Sequence, residues 1–201
     1  MDWREIGIIP LTDAAGITKQ FNAESHRGLD IGWYKNKYCP VLAWQDGTLI
    51  AKGYSGEVGY WCVLEHEYDN GTNKRWVGYI HLYQAVNAPI GSYYKMGRQV
   101  SNAKRGNTGY SNGVHLHIYM TRIIPKDTVF VWTGSDDPWT KYAIDPLSHL
   151  YYDKKYNTDY IAPSWARPWP EEEDWEKLYK EEKGKNEILT AKIEQIREIV
   201  K

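Results

Sequence analysis

Between residues 7 and 133 apolar and polar residues alternate in short runs, and glycine or asparagine ends each run before it grows long. Period-two alternation over such short runs predicts strands with one buried face. Val41-Leu42-Ala43-Trp44 and Thr48-Leu49-Ile50-Ala51 flank Gln45-Asp46-Gly47. Asp-Gly between two apolar runs predicts a hairpin. Tyr60 to His66 predicts a further strand, turned at Asp69-Asn70-Gly71 toward Arg75 to Leu82. Val114 to Met120 alternates around His115 and His117. No long helical period interrupts this stretch, so the expected fold is mainly β, an antiparallel sheet with loops.

The pattern changes near residue 150, after Asp145-Pro146-Leu147. Three segments are expected: a domain over 1–150, a linker over 151–170 rich in Pro, Tyr and Trp, and an amphipathic helix over 171–201. Prolines at the density of Ala162-Pro163-Ser164 and Arg167-Pro168-Trp169-Pro170 work against regular structure. Glu171-Glu172-Glu173-Asp174 then places negative charge where a helix dipole favours it. Glu173–Lys177, Glu176–Lys180 and Glu181–Lys185 are favourably ordered i,i+4 pairs. Leu189, Ile193, Ile196 and Val200 form a short apolar seam that would permit weak self-association or docking on the chain's own domain.

Charge removes several classes of partner. Residues 1–150 hold 15 Lys+Arg against 14 Asp+Glu, and residues 151–201 hold 10 against 12, so neither part has the basic stripe of a nucleic-acid binder. No apolar run is long enough for a membrane span. The start, Met1-Asp2-Trp3-Arg4-Glu5, lacks the basic and apolar regions of a secretory signal. The expectation is therefore synthesis in a cytoplasm. The 10 Trp and 17 Tyr against 2 Phe favour rings with one polar end, suited to half-buried sheet faces or a polar groove. Cys39 and Cys62 are too few for a disulfide scaffold, and their spacing is wrong for a zinc knuckle.

Chemistry concentrates in the histidines. His26-Arg27-Gly28-Leu29-Asp30 sets an imidazole and a carboxylate four residues apart, both good zinc ligands. In His115-Leu116-His117 a strand would turn both rings to one face. A glycine-rich turn, Gly106 to Gly113, precedes that pair. His81 ends a strand in Tyr79-Ile80-His81-Leu82 and by itself carries little meaning. Two His and one Asp would leave a fourth position for water, the layout of catalytic rather than structural zinc.

Taken in order, these pieces resemble the M23 family of metallopeptidases, the lysostaphin-like group of peptidoglycan endopeptidases. The resemblance is carried by His26-x-x-x-Asp30, Pro40-Val41-x-Ala43-x-x-Asp46-Gly47, Tyr79-x-His81-Leu82 and Gly106-x-Thr108-Gly109-x-Ser111-x-Gly113-x-His115-Leu116-His117, with Ile144-Asp145-Pro146-Leu147 as the exit. It covers roughly residues 15–150. It implies zinc as cofactor, His26, Asp30 and His117 as ligands, and His81 and His115 as catalytic histidines. It implies a small antiparallel β-domain with a groove, acting on stem peptides or cross-bridges of peptidoglycan. Together with the missing signal, it implies a phage-type lysin, reaching the wall after release or as a virion component. Val114, Asn112 and Cys39 depart from the usual pattern without removing a ligand.

The resemblance leaves His66 a structural strand residue and His149 a packing or surface role. Residues 33–37 and 83–96 are the expected specificity loops, and residues 127–139 receive no role. Two other readings compete. One is a catalytically inactive peptidoglycan-binding or regulatory module on the same fold. The other is a non-haem iron oxygenase with two His and one carboxylate, against which the His-Leu-His pair and its glycine turn speak.

Overall fold

The computed structural model describes residues 7–11, 14–33, 39–68, 73–103, 108–109, 115–122, 142–152 and 167–168. The chain forms two compact units. Everything described lies in the unit Arg4–Pro168; the other, Met1–Trp3 with Trp169–Lys201, falls outside the described residues, and with it the expected helix over 171–201.

The strands are β1 (Gly7–Ile8), β2 (Ala14–Lys19), β3 (Leu29–Trp33), β4 (Cys39–Leu42), β5 (Gly47–Ser55), β6 (Gly59–Tyr68), β7 (Asn73–Leu82), β8 (Tyr93–Tyr94), β9 (Gln99–Ala103), β10 (His115–Thr121), β11 (Leu150–Tyr152) and β12 (Arg167–Pro168). Seven form one antiparallel sheet in the order β2-β3-β10-β7-β6-β5-β8. β4 pairs with β9, and β1, β11 and β12 form a small parallel sheet. A 3-10 turn, Pro146–His149, leads into β11, with the Asp145 side chain accepting from Leu147 N–H.

Alternation gives the large sheet two unlike faces. On one face Leu29 and Ile31 of β3, Leu116, Ile118 and Met120 of β10, Val77 and Tyr79 of β7 and Cys62 and Leu64 of β6 join the main core. β4, β9 and β11 close over it through Val41, Val100 and Leu150. Trp44 N–H donates to Tyr79 Oη at 2.8 Å, tying the covering layer to the sheet. The other face carries a second apolar cluster of Trp61, Val63, Trp76, Ile80 and Tyr119, and the opening of β10. The mainly antiparallel β expectation holds.

Two local expectations are corrected. The Asp46-Gly47 turn does not join a hairpin: β4 pairs with β9 and β5 with β6 and β8. The turn crosses between layers because His66 fills the space beneath it, its Nδ1–H donating to Asp46 O at 2.8 Å. The stretch expected as an irregular linker from 151 holds two short strand segments, Tyr151↔Arg167 and Tyr152↔Pro168. Pro168 is tolerated because β12 is an edge strand, where one side needs no donor. The β6–β7 hairpin forms as read, while Asp69-Asn70-Gly71 itself lies outside the described residues. Cys39 and Cys62 are both buried free thiols.

Candidate metal centre

Three strands side by side deliver the site. β3 and β10 pair His117 opposite Asp30, and His115 opposite Gly32. Directly opposed residues in an antiparallel pair share a face. Asp30, His117 and His115 therefore rise from the face away from the main core, while Leu29, Ile31, Leu116 and Ile118 anchor the same strands in that core. Burial of those neighbours fixes the register, because a one-residue slip would turn the histidines into the core.

His26 arrives on the loop before β3. Asn22 Oδ1 accepts from the N–H groups of Glu24 and Ser25, and Asn22 and His26 exchange backbone hydrogen bonds of 2.7 and 2.9 Å. This side-chain turn closes the loop and directs the ring of His26 inward. His26 Nδ1–H donates to Gln20 O at 2.8 Å, which leaves Nε2 with its lone pair facing Asp30 Oδ1 at 3.2 Å. Gly28 lets the loop lie against His117: a Cβ there would stand 2.2 Å from His117 Nε2 and 2.6 Å from Ile118 O. His117 therefore turns Nδ1 toward Asp30 Oδ1, at 2.8 Å.

The three ligand atoms of His26, Asp30 and His117 lie within 4.8 Å of one another, and all three residues are buried. The donor set fits a divalent ion such as zinc. An imidazole lone pair facing a carboxylate oxygen is favourable only with a cation between them, whether a proton or a metal. Burial alone would raise the Asp30 carboxyl, but the imidazoles of His117 and His26 against it, and the charges of His117 and His115 once protonated, outweigh burial and hold the group well below the usual carboxylate range. Asp30 is thus ionised at any pH where a metal would bind.

His115 and His81 flank this triad. His115 Nε2 is 3.7 Å from Asp30 Oδ1. The His81 and His115 rings meet edge to face at 5.0 Å, and His81 lies 6.2 Å from the His117 ring. His81 is 8% exposed, and burial, with the His115 charge beside it, lowers its pKa to about 4. Its Nδ1–H donates to Thr108 O at 3.0 Å, leaving Nε2 as the free nitrogen. His81 is also the one non-glycine residue with positive φ among the described residues, at 59°. That conformation costs roughly 1–2 kcal/mol for an L-residue, so the surrounding structure holds it there.

All five histidine and aspartate positions singled out in the sequence thus come together. His66 and His149 do not: both are buried elsewhere, His66 against Trp44 at 5.0 Å and His149 in the 3-10 turn, its carbonyl accepting from Trp44 Nε1. Of the expected specificity loops, residues 34–37 lie outside the described residues. The other begins beside the site at Tyr83 but ends on β8, three strands away from β7 at the far edge of the sheet. Lys52 Nζ pins it through the carbonyls of Val86 and Ala88, and Asp46 through Tyr93 Oη and Met96 N–H. Residues 127–139 lie outside the described residues. The sequence reading missed Gln20 and Thr108, whose carbonyls fix the ring tautomers. Gln20 has no sequence signal, since a backbone acceptor can come from any residue. Thr108 stood in the glycine-rich motif without a role.

Comparison with known proteins adds to this geometry. Residues 24–128 match the family described as Peptidase family M23. Among solved structures, the SpoIIQ–SpoIIIAH pore-forming complex aligns at 16% identity over 73% of this chain and 92% of that one, with a TM-score of 0.51, a likeness of fold. A zinc-containing peptidase from Vibrio cholerae aligns at 23% identity over 58% of this chain and 35% of its own length, with a TM-score of 0.47. The antimicrobial peptidase lysostaphin from Staphylococcus simulans aligns at 22% identity over 80% of this chain and 56% of its own, with a TM-score of 0.46. The chain therefore spans about a third of the Vibrio cholerae protein and just over half of lysostaphin.

Proposed function

The chain belongs to peptidase family M23, and from that premise we propose that it is a zinc-dependent endopeptidase hydrolysing peptide bonds of bacterial peptidoglycan. The observation that carries this reading is the convergence of His26, Asp30 and His117 with two further imidazoles beside them. A structural metal site needs no uncoordinated histidines at its edge; a hydrolytic one needs groups that move protons.

His26, Asp30 and His117 would hold the metal, their rings fixed by Gln20 O and by the Gly28 backbone. Zinc bound there would polarise the scissile carbonyl and lower the pKa of water. His115, at the edge of the triad, accepts the proton of the attacking water and passes it to the departing amine. His81 presents an unprotonated Nε2 at neutral pH, since burial keeps its pKa near 4. Through that nitrogen it accepts a hydrogen bond and so orients the water and His115. Trp61, Val63, Ile80 and Tyr119 form an apolar cluster on the same face of the sheet as the site.

The test is turbidity of purified peptidoglycan, with and without a chelator, and mass analysis of what is released. Chelator-sensitive clearing with one new free amine per cut supports the reading and names the bond. A protein that binds zinc and wall material yet cuts no chemotype is instead the binding module. Iron in place of zinc, with oxygen consumption, would point to the oxygenase. We further propose a phage-type lysin role; addition of the protein to intact cells of candidate hosts, with lysis of one narrow group, tests it.

A further inference from the structure

His81 should face the wrong way. Along β7, Trp76 and Ile80 join the cluster on the site face, while Val77 and Tyr79 join the main core. Strict alternation would put His81 in the core with them. Its ring instead lies beside His115 and His117 on the site face, next to Ile80, and Leu82 returns to the core.

A β-bulge makes the change. Cys62 pairs with Tyr79 and Tyr60 with Leu82, so Trp61 alone faces both Ile80 and His81. An inserted residue of this kind bends the strand and re-aims a side chain. The positive φ of His81 is the conformation that turns two successive side chains to one face. Glycine is the usual residue where a bulge needs positive φ, but it has no imidazole to offer. A histidine in that position must be held.

The hydrogen bonds around the bulge converge on one residue. Thr108 Oγ–H donates to Leu82 O at 2.7 Å, and Tyr60 N–H donates to Thr108 Oγ1 at 2.7 Å. Tyr60 and Leu82 are the register pair that closes the bulge, so a single hydroxyl is inserted between the two strands there. The carbonyl of Thr108 accepts His81 Nδ1–H at 3.0 Å. Val58 O accepts the His81 backbone N–H at 3.1 Å from the other side. Space is set aside for this contact: Gly59 has φ +68°, and a Cβ on it would lie 2.1 Å from Thr108 Oγ1.

We infer that Thr108 is a positioning residue: its hydroxyl locks the bulge open while its carbonyl fixes the His81 tautomer, so that Nε2 faces the reacting groups. The catalytic part of this role rests on the peptidase reading above; the structural part does not. Thr108→Val keeps the shape and loses the hydroxyl, whereas Thr108→Ser keeps the hydroxyl. Thr108→Val is expected to lower kcat about 10–100-fold, as loss of an orienting partner does, with KM and zinc content unchanged. Thr108→Ser is expected to restore kcat close to the parent value.

Imidazole NMR reads the same contact without any turnover. The parent should show a His81 Nδ1–H proton in slow exchange, lost in Thr108→Val and kept in Thr108→Ser. Thr108→Ala removes the hydroxyl without placing a methyl in its position, and serves the same purpose if the valine variant does not fold. A Thr108→Val protein with parental kcat and a retained Nδ1–H signal overturns the inference. So does a parent protein in which His81 carries its proton on Nε2. If the parent cuts no wall peptide but the NMR pattern holds, the peptidase reading has failed and the clasp stands.

Discussion

His115 and His117 stand two residues apart on one strand, with rings on one face, yet they meet Asp30 at different distances. His117 Nδ1 contacts Asp30 Oδ1 at 2.8 Å, while His115 Nε2 stays at 3.7 Å. His117→Ala is therefore expected to lower zinc affinity by more than about 100-fold and to abolish activity with it. His115→Ala is expected to keep its zinc and lose about 100-fold or more in kcat, the range of a lost general base. Zinc competition with a chromophoric chelator, alongside wall turbidity, separates the two. Full turnover by His115→Ala would remove it from the mechanism. His81→Asn makes a third case, because asparagine tolerates positive φ better than most residues. Its stability should stay within about 1 kcal/mol of the parent, while kcat falls at least about 100-fold. A large loss of stability instead would mean that the imidazole holds the bulge rather than being held by it. That these five positions converge was legible in sequence, but unequally. Strand period alone put His115 and His117 on one face. His26 and Asp30 needed only a loop that could bring them together. His81 was legible through resemblance alone, since alternation, the one physical rule available, places it in the core.

Elements inherit their positions from contacts that sequence shows poorly. The loop before β3 depends on an absent side chain, for Gly28 is where the backbone meets His117. Gly28→Ala is expected to cost about 1–3 kcal/mol through overpacking and at least about tenfold in zinc affinity. Gly91→Ala is the control: its φ is +90°, but nothing lies within 4 Å of a Cβ there. It should cost about 1–2 kcal/mol for the left-handed backbone alone and leave zinc binding unchanged. Equal zinc affinity in the two variants would mean that the loop does not set the ligand. Strand pairing is likewise hidden from local sequence. Asp46-Gly47 carries the local chemistry of a hairpin turn, and strands do flank it. Their partners, however, are chosen by burial across the whole sheet, with β4 taken by β9 and β5 by β6. Local turn chemistry reports that the chain reverses, not which strand it meets afterwards.

At the scale of the whole fold, the joint between the large sheet and the layer that covers its core holds a buried titratable group. His66 sits there, fully buried, beneath the Asp46-Gly47 turn and against Trp44. A Cβ on Gly47 would lie 2.5 Å from its Nδ1, so the turn rests directly on the ring. Burial lowers the His66 pKa from 6.5 to about 4, against smaller opposing effects from the Asp46 carbonyl and the Asp46 and Glu65 charges. The unfolded chain therefore takes up a proton as pH falls through 6.5, and the folded chain does so only near 4. Stability is greatest above 6.5 and declines as pH falls across that window, by on the order of 3 kcal/mol for this group. The Asp30 carboxyl, shifted down, contributes stability that is lost only below the ordinary carboxylate value of 3.8, so its effect falls in a lower window. His81 shares the window of His66, which calls for a variant rather than a titration of the parent alone. His66→Asn fits the purpose, since its side-chain amide can still donate to Asp46 O but cannot titrate. Measured by denaturant unfolding with zinc saturating, the variant should be less stable than the parent at pH 7. Its stability should then fall less steeply, so that the two proteins converge toward pH 4. Parallel curves would show that His66 takes up its proton equally in the folded and the unfolded chain, so that its burial does not couple pH to stability.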